Sequence, residues 1–288
     1  MWKRSLAKSL KDMTKPDPRL NPWRDDLAAD HLRGEVDAPR YVKGTDYQVI
    51  APVSALRRAA AHGAMQDSQL LFGELFRVYD TQGVWSWGQS QSDDYVGYVL
   101  SEDLGVSEKP THYLTALRSF IYTDADIKSR PLMAISCGAR LTIIAHKPPF
   151  YELSNGAYIF DAHVAAIGDW QKDYVAVARQ FIGMPYLWGG RESTGLDCSG
   201  LVQTILMQCG LACPRDSDMQ EQVLGRSVDT AQAGDLVFWK GHVGLMSDDK
   251  NLLHANATTM NVCQEDFATA CARIEKIAGP VRAIKRLS

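Results

Sequence analysis

From about residue 43 to 168, β-branched and aromatic residues alternate with polar ones in short runs broken by Gly, Asp and Asn. The stretch 78–100, VYDTQGVWSWGQSQSDDYVGYVL, and the stretch 140–164, RLTIIAHKPPFYELSNGAYIFDAHV, both carry this period-two pattern, which predicts half-buried strands. Asn155-Gly156 is a hairpin signal. The period changes at residue 169. In DWQKDYVAVARQFI, Trp170, Tyr174, Val177, Ala178 and Phe181 recur at helical spacing, and Gly183 and Pro185 follow as a stop, so a helix is expected over 169–182. Cys198 opens an apolar run, CSGLVQTILMQCG, that reads as a buried helix ending at Gly210. DLVFWKG, HVGLMSD and NLLHANA then read as three strands. Helices followed by an antiparallel sheet make the C-terminal part α+β.

The strand-rich region repeats. Ala55-Leu56-Arg57 recurs as Ala116-Leu117-Arg118, and Gly97-Tyr98-Val99 has a counterpart in Ala157-Tyr158-Ile159. A period of about 60 residues, rich in short strands, suggests two small β-barrels in tandem. The expected organisation is an N-terminal arm over 1–42, a first barrel over 43–107, a second over 108–168 and a C-terminal domain over 169–288. Within the arm, Pro22, Asp25-Asp26 and Gly34 suit the start and stop of a short helix near 24–33. Trp2, Leu6, Leu10 and Met13 have helical spacing in a basic context. They read either as a surface-docking helix or as a short helix packed on the body.

Composition removes several function classes. The chain has 288 residues, 45% hydrophobic and 23% charged, with a net charge of −3. It lacks the basic excess that drives non-specific nucleic-acid binding, so no nucleic-acid partner is expected. No apolar run reaches the ~18–20 residues of a membrane span. No apolar h-region follows the basic start, so a secretory signal is not expected and the six cysteines are read as reduced thiols, which points to the cytoplasm. Cys209 and Cys213 lie four apart but lack a partner pair, so neither a metal nor another cofactor is expected.

One cysteine stands apart. Cys198 sits where a Gly-rich loop meets a helix, with Asp197 as a cap. Unpaired N–H groups and the macrodipole there favour a thiolate. Ser199 and Gly200 are small enough to let a substrate approach. From position alone, a nucleophile and a buried structural cysteine are equally good readings. Two histidines alter that balance. His242 and His254 fall on adjacent predicted strands of an antiparallel pair, where residues far apart in sequence become neighbours. His242 suits a base that takes the thiol proton and returns it to the leaving amine. His254 suits an orienter of the far ring nitrogen.

The motifs Pro185-Tyr186-Leu187-Trp188-Gly189-Gly190, Gly195-Leu196-Asp197-Cys198-Ser199-Gly200-Leu201-Val202, Pro214-Arg215-Asp216-Ser217, Gly234-Asp235-Leu236-Val237-Phe238, Gly241-His242-Val243-Gly244 and His254-Ala255 follow one another through the C-terminal part. In this order they resemble the NlpC/p60 family of papain-like cysteine peptidases. With two bacterial SH3-like barrels ahead of it, the arrangement resembles the γ-D-glutamyl-L-diamino acid endopeptidases, the dipeptidyl-peptidase VI type.

The resemblance implies a papain-like fold and cleavage of the γ-D-glutamyl–diamino acid bond of murein stem peptides. It makes Cys198 the nucleophile, His242 the base and His254 the orienter. The Cys198 N–H and the Tyr186 hydroxyl would form the oxyanion hole. Arg215 and Asp216 would line the groove, with Arg215 suited equally to a substrate carboxylate and to a surface ion pair. In such enzymes the first barrel walls off one end of the groove, so that only a free peptide with an N-terminal L-Ala fits. Glu74, Tyr95 and Tyr98 are the positions suited to its amine, or alternatively to ordinary barrel packing. Four functions compete: a cytoplasmic peptidase that recycles free murein peptides, a hydrolase of intact wall with the barrels as binding modules, a scaffold with a dead site, and an acyltransferase.

Overall fold

In the computed structural model, residues 15–287 are described. The segment carrying Trp2, Leu6, Leu10 and Met13 lies outside them. Residues 15–42 lie across the first β-unit. Leu27, Ala28, Ala29, Leu32 and Val36 are buried against Tyr79 and Trp87. The helix expected over 24–33 is a single 3-10 turn, Asp30–Leu32. Its backbone donors are drawn to distant carbonyls instead: Ala28 N–H to Arg40 O at 3.0 Å and Ala29 N–H to Pro22 O at 2.8 Å. Ala28–Ala29 therefore pairs in parallel with Tyr41–Val42. Arg24 reaches outward to Asp80.

Seven antiparallel strands follow: Thr45–Val49, Val53–Arg57, Gln66–Leu71, Leu75–Gln82, Trp85–Ser90, Val96–Leu100 and Leu104–Val106. They close over Val49, Leu56, Leu70, Phe76 and Val99. Eight shorter strands between His112 and Ala166 repeat the same neighbour order in two smaller sheets. The long strand Leu75–Gln82 has two counterparts here, Arg140–Leu141 and Ile143–Lys147. Both units end in a strand, a 3-10 turn (Ser101–Asp103; Asp161–His163) and a final strand. The matching three-residue segments at the front of each unit are out of register. Arg57 pairs with Tyr98, whereas Tyr122, not Arg118, pairs with Tyr158.

The C-terminal part is a six-stranded antiparallel sheet in the order Arg226–Val228, Ala283–Arg286, Leu236–Trp239, His242–Met246, Asn251–Asn256, Asn261–Asp266. Helix α1 (Tyr174–Gln180) starts later than residue 169, because Asp173 caps it by accepting the N–H groups of Val175 and Ala176. Trp170, ahead of that cap, packs on Tyr113 at 4.8 Å between ring centroids. Helix α2 (Cys198–Gln208) is buried along almost its whole length. Both pack on the sheet face that presents Leu236, Phe238, Val243, Leu245 and Leu253. The intervening residues Val237, Trp239, Met246 and Leu252 face helix α4 (Phe267–Ala278). The sheet is thus covered on both sides, which is why its strands read as near-continuous apolar runs. Helix α3 (Ser217–Val223) sits beside the start of α2 and buries Met219 in the first β-unit.

The parts are joined by buried charge. Arg191 is 2% exposed and pairs with Glu74 through two contacts of 3.1 Å, and its Nη1 also donates to Gln69 O at 2.8 Å. Removing one member leaves the other charged and unpaired in the interior, at a cost of about 3–5 kcal/mol. Glu74→Gln is therefore expected to lower unfolding stability by that order in chemical denaturation. The double variant Glu74→Leu/Arg191→Met is expected to recover most of it. Equal loss in both would mean that the pair is not what holds this junction.

Candidate active site

The residues around Cys198 are ordered by one buried carboxylate. Asp197, 6% exposed, accepts Gly200 N–H at 2.7 Å and so caps α2. Its other oxygen accepts Gly189 N–H at 2.8 Å, which folds the PYLWGG loop back onto the helix start. Arg215 closes the arrangement, donating to both carboxylate oxygens at 2.9 and 2.6 Å. It also donates to Ser199 Oγ at 3.0 Å and, across to the first β-unit, to Ser68 Oγ at 3.0 Å.

Cys198 itself is 8% exposed and unpaired with any other cysteine. Backbone N–H groups of Val243 and Ser199 point at its sulfur, so the thiol lies over the start of the strand His242–Met246. Burial first, and then the Asp197 charge, push the thiol up to about 12. The N–H groups and Arg215 act the other way. The free thiol is thus protonated near neutral pH, and its activation needs a base.

The two histidines are held by strand register. The turn Lys240-Gly241 is only two residues long, since Trp239 pairs with His242, and Gly241 has φ +72°. Leu245 pairs with Leu253 and Met246 with Leu252. Continued, this register makes His242 and His254 diagonal neighbours on one face. Their rings are hydrogen-bonded, His242 Nε2 to His254 Nδ1 at 2.8 Å. That leaves His242 Nδ1 outside this bond. Burial, with His254 next in effect, lowers His242 to about 3, so it is a neutral imidazole able to accept a proton. His254 is fully buried, and its Nε2 meets Glu265 Oε1 at 2.7 Å. Burial lowers His254 while Glu265 opposes it. Arg273 in turn pairs with Glu265.

Sequence reasoning did not reach Glu265. Its signal was the alternating strand Asn261–Asp266, which pairs His254 with Cys263 and so sets Glu265 diagonally from His254. The donor atoms of His254, Cys263 and Glu265 lie within 4.8 Å of one another, a spacing open to a metal ion. Each is already engaged, Cys263 by the Asn256 amide at 3.1 Å.

A cleft of about 250 Å³ opens at the thiol, with Tyr186, Ser199, Asp216 and Tyr95 in its walls. The Tyr186 phenol is raised by burial and by the neighbouring Cys198 and Asp197, so it remains a donor. Tyr95 comes from the first β-unit, and its hydroxyl donates to Asp216 Oδ2 at 3.0 Å. Arg19, from the arm, also donates to Asp216 at 2.8 Å, a contact that sequence reading missed. Burial raises Asp216, and Arg215, Tyr95 and Arg19 counter it.

Three residues singled out from sequence lie away from this cleft. Arg215 is 1% exposed and fully engaged beneath it, so it organises the helix start rather than meeting a substrate carboxylate. Glu74 is paired with Arg191 beside the distal part of α2, where Met207 lies. Tyr98 faces the arm, accepting from Arg24 Nη1 at 3.2 Å.

This geometry makes demands on three variants and on the pH profile. His242→Ala should lower kcat/KM by about 10²–10⁴-fold, the usual worth of a positioned base. His254→Ala should lower it by clearly less, and Cys198→Ala should abolish turnover with the fold intact. Because His242 must be neutral to accept the proton and burial lowers it from its ordinary 6.5, the acid limb of kcat/KM should fall below pH 6.5. A limb at or above 6.5, or equal losses for the two histidines, would contradict these roles.

Residues 183–275 match the NlpC/P60 family, and residues 56–104 match the bacterial dipeptidyl-peptidase Sh3 domain. A γ-D-glutamyl-L-lysine dipeptidyl-peptidase of Bacillus subtilis is 27% identical over 222 residues, covering 68% of this chain and 74% of that protein. One of Bacillus cereus is 25% identical over 224 residues, covering 66% and 67%. The fold is similar to that of an NlpC/P60 family protein from Bacillus cereus, with a TM-score of 0.73 over 84% of this chain and 99% of that one, at 20% identity.

Proposed function

We propose that this chain, whose residues 183–275 match the NlpC/P60 family and whose residues 56–104 match the bacterial dipeptidyl-peptidase Sh3 domain, is a cysteine peptidase that hydrolyses the γ-D-glutamyl–diamino acid bond of free murein stem peptides bearing an N-terminal L-Ala. The observation that carries this reading is the wall of the cleft. The first β-unit lends Tyr95 to the space beside Cys198, and Tyr95 meets Asp216 there. A carboxylate backed by a phenol, a short distance from a nucleophile, suits the free ammonium of a dipeptidyl segment. A polymer continuing past that end would run into the β-unit. The relatives named γ-D-glutamyl-L-lysine dipeptidyl-peptidase add weight to the same reading.

In this mechanism His242 Nδ1 takes the proton of Cys198, and the thiolate attacks the γ-glutamyl carbonyl. The oxyanion is met by the Cys198 N–H and the Tyr186 hydroxyl. Collapse expels the diamino acid amine, which leaves with the proton from His242. Water, activated by the same ring, then hydrolyses the thioester. His254 and Glu265 hold the His242 ring in its working orientation throughout. Recycling of free peptides inside the cell is the role that fits such a closed groove.

Mass spectrometry of the protein incubated with L-Ala-γ-D-Glu-meso-diaminopimelate is expected to show L-Ala-D-Glu. The N-acetylated tripeptide and intact murein should remain uncut. Cleavage of the acetylated peptide at an unchanged rate would remove the amine requirement, and fragments from intact murein would replace a recycling peptidase with a wall hydrolase.

A further inference from the structure

A second cavity, of about 390 Å³, lies where the two β-units meet the C-terminal end of α2. Gly73, Glu74 and Ser92 line it from the first unit, Arg140 from the second, and Trp170 and Leu211 from the C-terminal part. Helix α2 has 11 residues, so at ~1.5 Å per residue this end lies roughly 16 Å along the helix from Cys198.

Arg140 is the unusual group. Its backbone is fixed on both sides: its N–H donates to Phe72 O at 2.7 Å, and its partner across the sheet is Tyr113. Its carbonyl lies so close to Gly73 that a Cβ there would come within 1.9 Å of it, at a φ of +79°. The guanidinium carbon sits 5.7 Å from the Tyr113 ring and 5.5 Å from the Trp170 ring. Nη1 is buried with no hydrogen-bond partner among the described residues. The nearby carboxylate stabilises the charge through space but makes no hydrogen bond to it. Glu74 Oε2 is taken by Leu71 N–H and Arg191, and Oε1 by Ser92 Oγ and Arg191. The free carbonyls at the end of α2 supply only partial negative charge. Burial pulls the Arg140 pKa down; the Glu74 charge opposes this, and Arg191 repulsion adds to it. A half-buried guanidinium with one buried, orphaned donor is costly unless something completes it.

We propose that this cavity binds a small organic oxyanion, a carboxylate or phosphate group held by the Arg140 fork, with its apolar body against Trp170 and Leu211. The fork geometry of guanidinium matches both groups. The volume suits a ligand of small-molecule size. Leu211 and Ile167 are each 41% exposed at the rim, which offers an apolar surface that a bare inorganic ion would not use.

The test is a titration of the full chain with acetate, benzoate and inorganic phosphate, at ionic strength fixed with sodium chloride. Thermal unfolding and tryptophan fluorescence are read in parallel, and a Trp170→Phe variant identifies the Trp170 signal. At least one probe should give a saturable rise in Tm together with a Trp170 signal. Benzoate without phosphate would support a carboxylate ligand, and phosphate would support a phosphate ester. Arg140→Gln should raise the half-saturating concentration at least about tenfold, the worth of a charge-assisted hydrogen bond. Turnover of the tripeptide should be unchanged in that variant. If Arg140→Gln does not fold, Arg140→Lys, which keeps the charge without the fork, should still weaken binding. Overturning results are the absence of saturable binding for all three probes, or equal binding by the wild type and whichever variant folds.

Discussion

The buried pair between Asp197 and Arg215 is the contact on which the reactive end of the molecule depends. Each of the two carboxylate oxygens does two jobs. One caps α2 through Gly200 N–H and the other ties down the Gly189 loop, and both accept from Arg215. Arg215 carries the same constraint to Ser199 and to Ser68 of the first β-unit. The Gly189 loop, the start of α2, the Arg215 segment and the first β-unit are therefore fixed by a single ion pair. Such a pair contributes modestly to net stability, because desolvation offsets most of the attraction, but losing one partner is expensive. It has an electrostatic consequence as well. Burial, and after it the Asp197 charge, raise the Cys198 pKa, so the thiol does not rest as a thiolate and its activation needs a base.

The first β-unit is part of the site rather than a module on a tether. Gln66 Nε2 donates to Trp188 O at 3.1 Å, Gln69 holds Arg191, Ser68 accepts from Arg215 and Tyr95 meets Asp216. Gly189 has φ +72°, and a Cβ on it would come within 2.7 Å of Gln66 O. The first glycine of PYLWGG thus serves the approach of two domains as much as the turn itself. The arm adds a further layer, with Arg19 reaching Asp216 and Asp218 at the rim of the cleft. The wall of the cleft and the placement of Cys198 therefore share the same contacts.

The parts of this arrangement that were legible in the sequence are those with local causes. The cap at Asp197, the buried helix after it, the strands around His242 and His254 and the tandem strand-rich units all follow from short-range pattern. Arg215 and Glu74 were left open between two readings because their partners decide their roles. A guanidinium in a groove motif looks like a carboxylate receptor until Asp197 is seen to occupy it, and Glu74 is claimed by a residue 117 positions away. The Ala-Leu-Arg repeat had no structural meaning, since strand pairing sets a different register. Helix α4 escaped notice although Asp266 caps it through Thr269 N–H, Ala270 and Ile274 face the core, and Gly279 stops it. The arm yielded strand pairing instead of a helix because tertiary hydrogen bonds outcompeted weak local signals.

The account stands on one spatial claim, that the first β-unit holds the substrate's free amine while α2 presents Cys198 to the γ-glutamyl carbonyl. A crystal structure of the Cys198→Ala variant with bound L-Ala-γ-D-Glu-meso-diaminopimelate tests it most directly. The account predicts the ammonium within hydrogen-bond distance of Tyr95 and Asp216, Arg19 displaced from Asp216, and the γ-glutamyl carbonyl over residue 198 beside Tyr186. An ammonium directed to solvent, with the peptide continuing freely past the first β-unit, would contradict it.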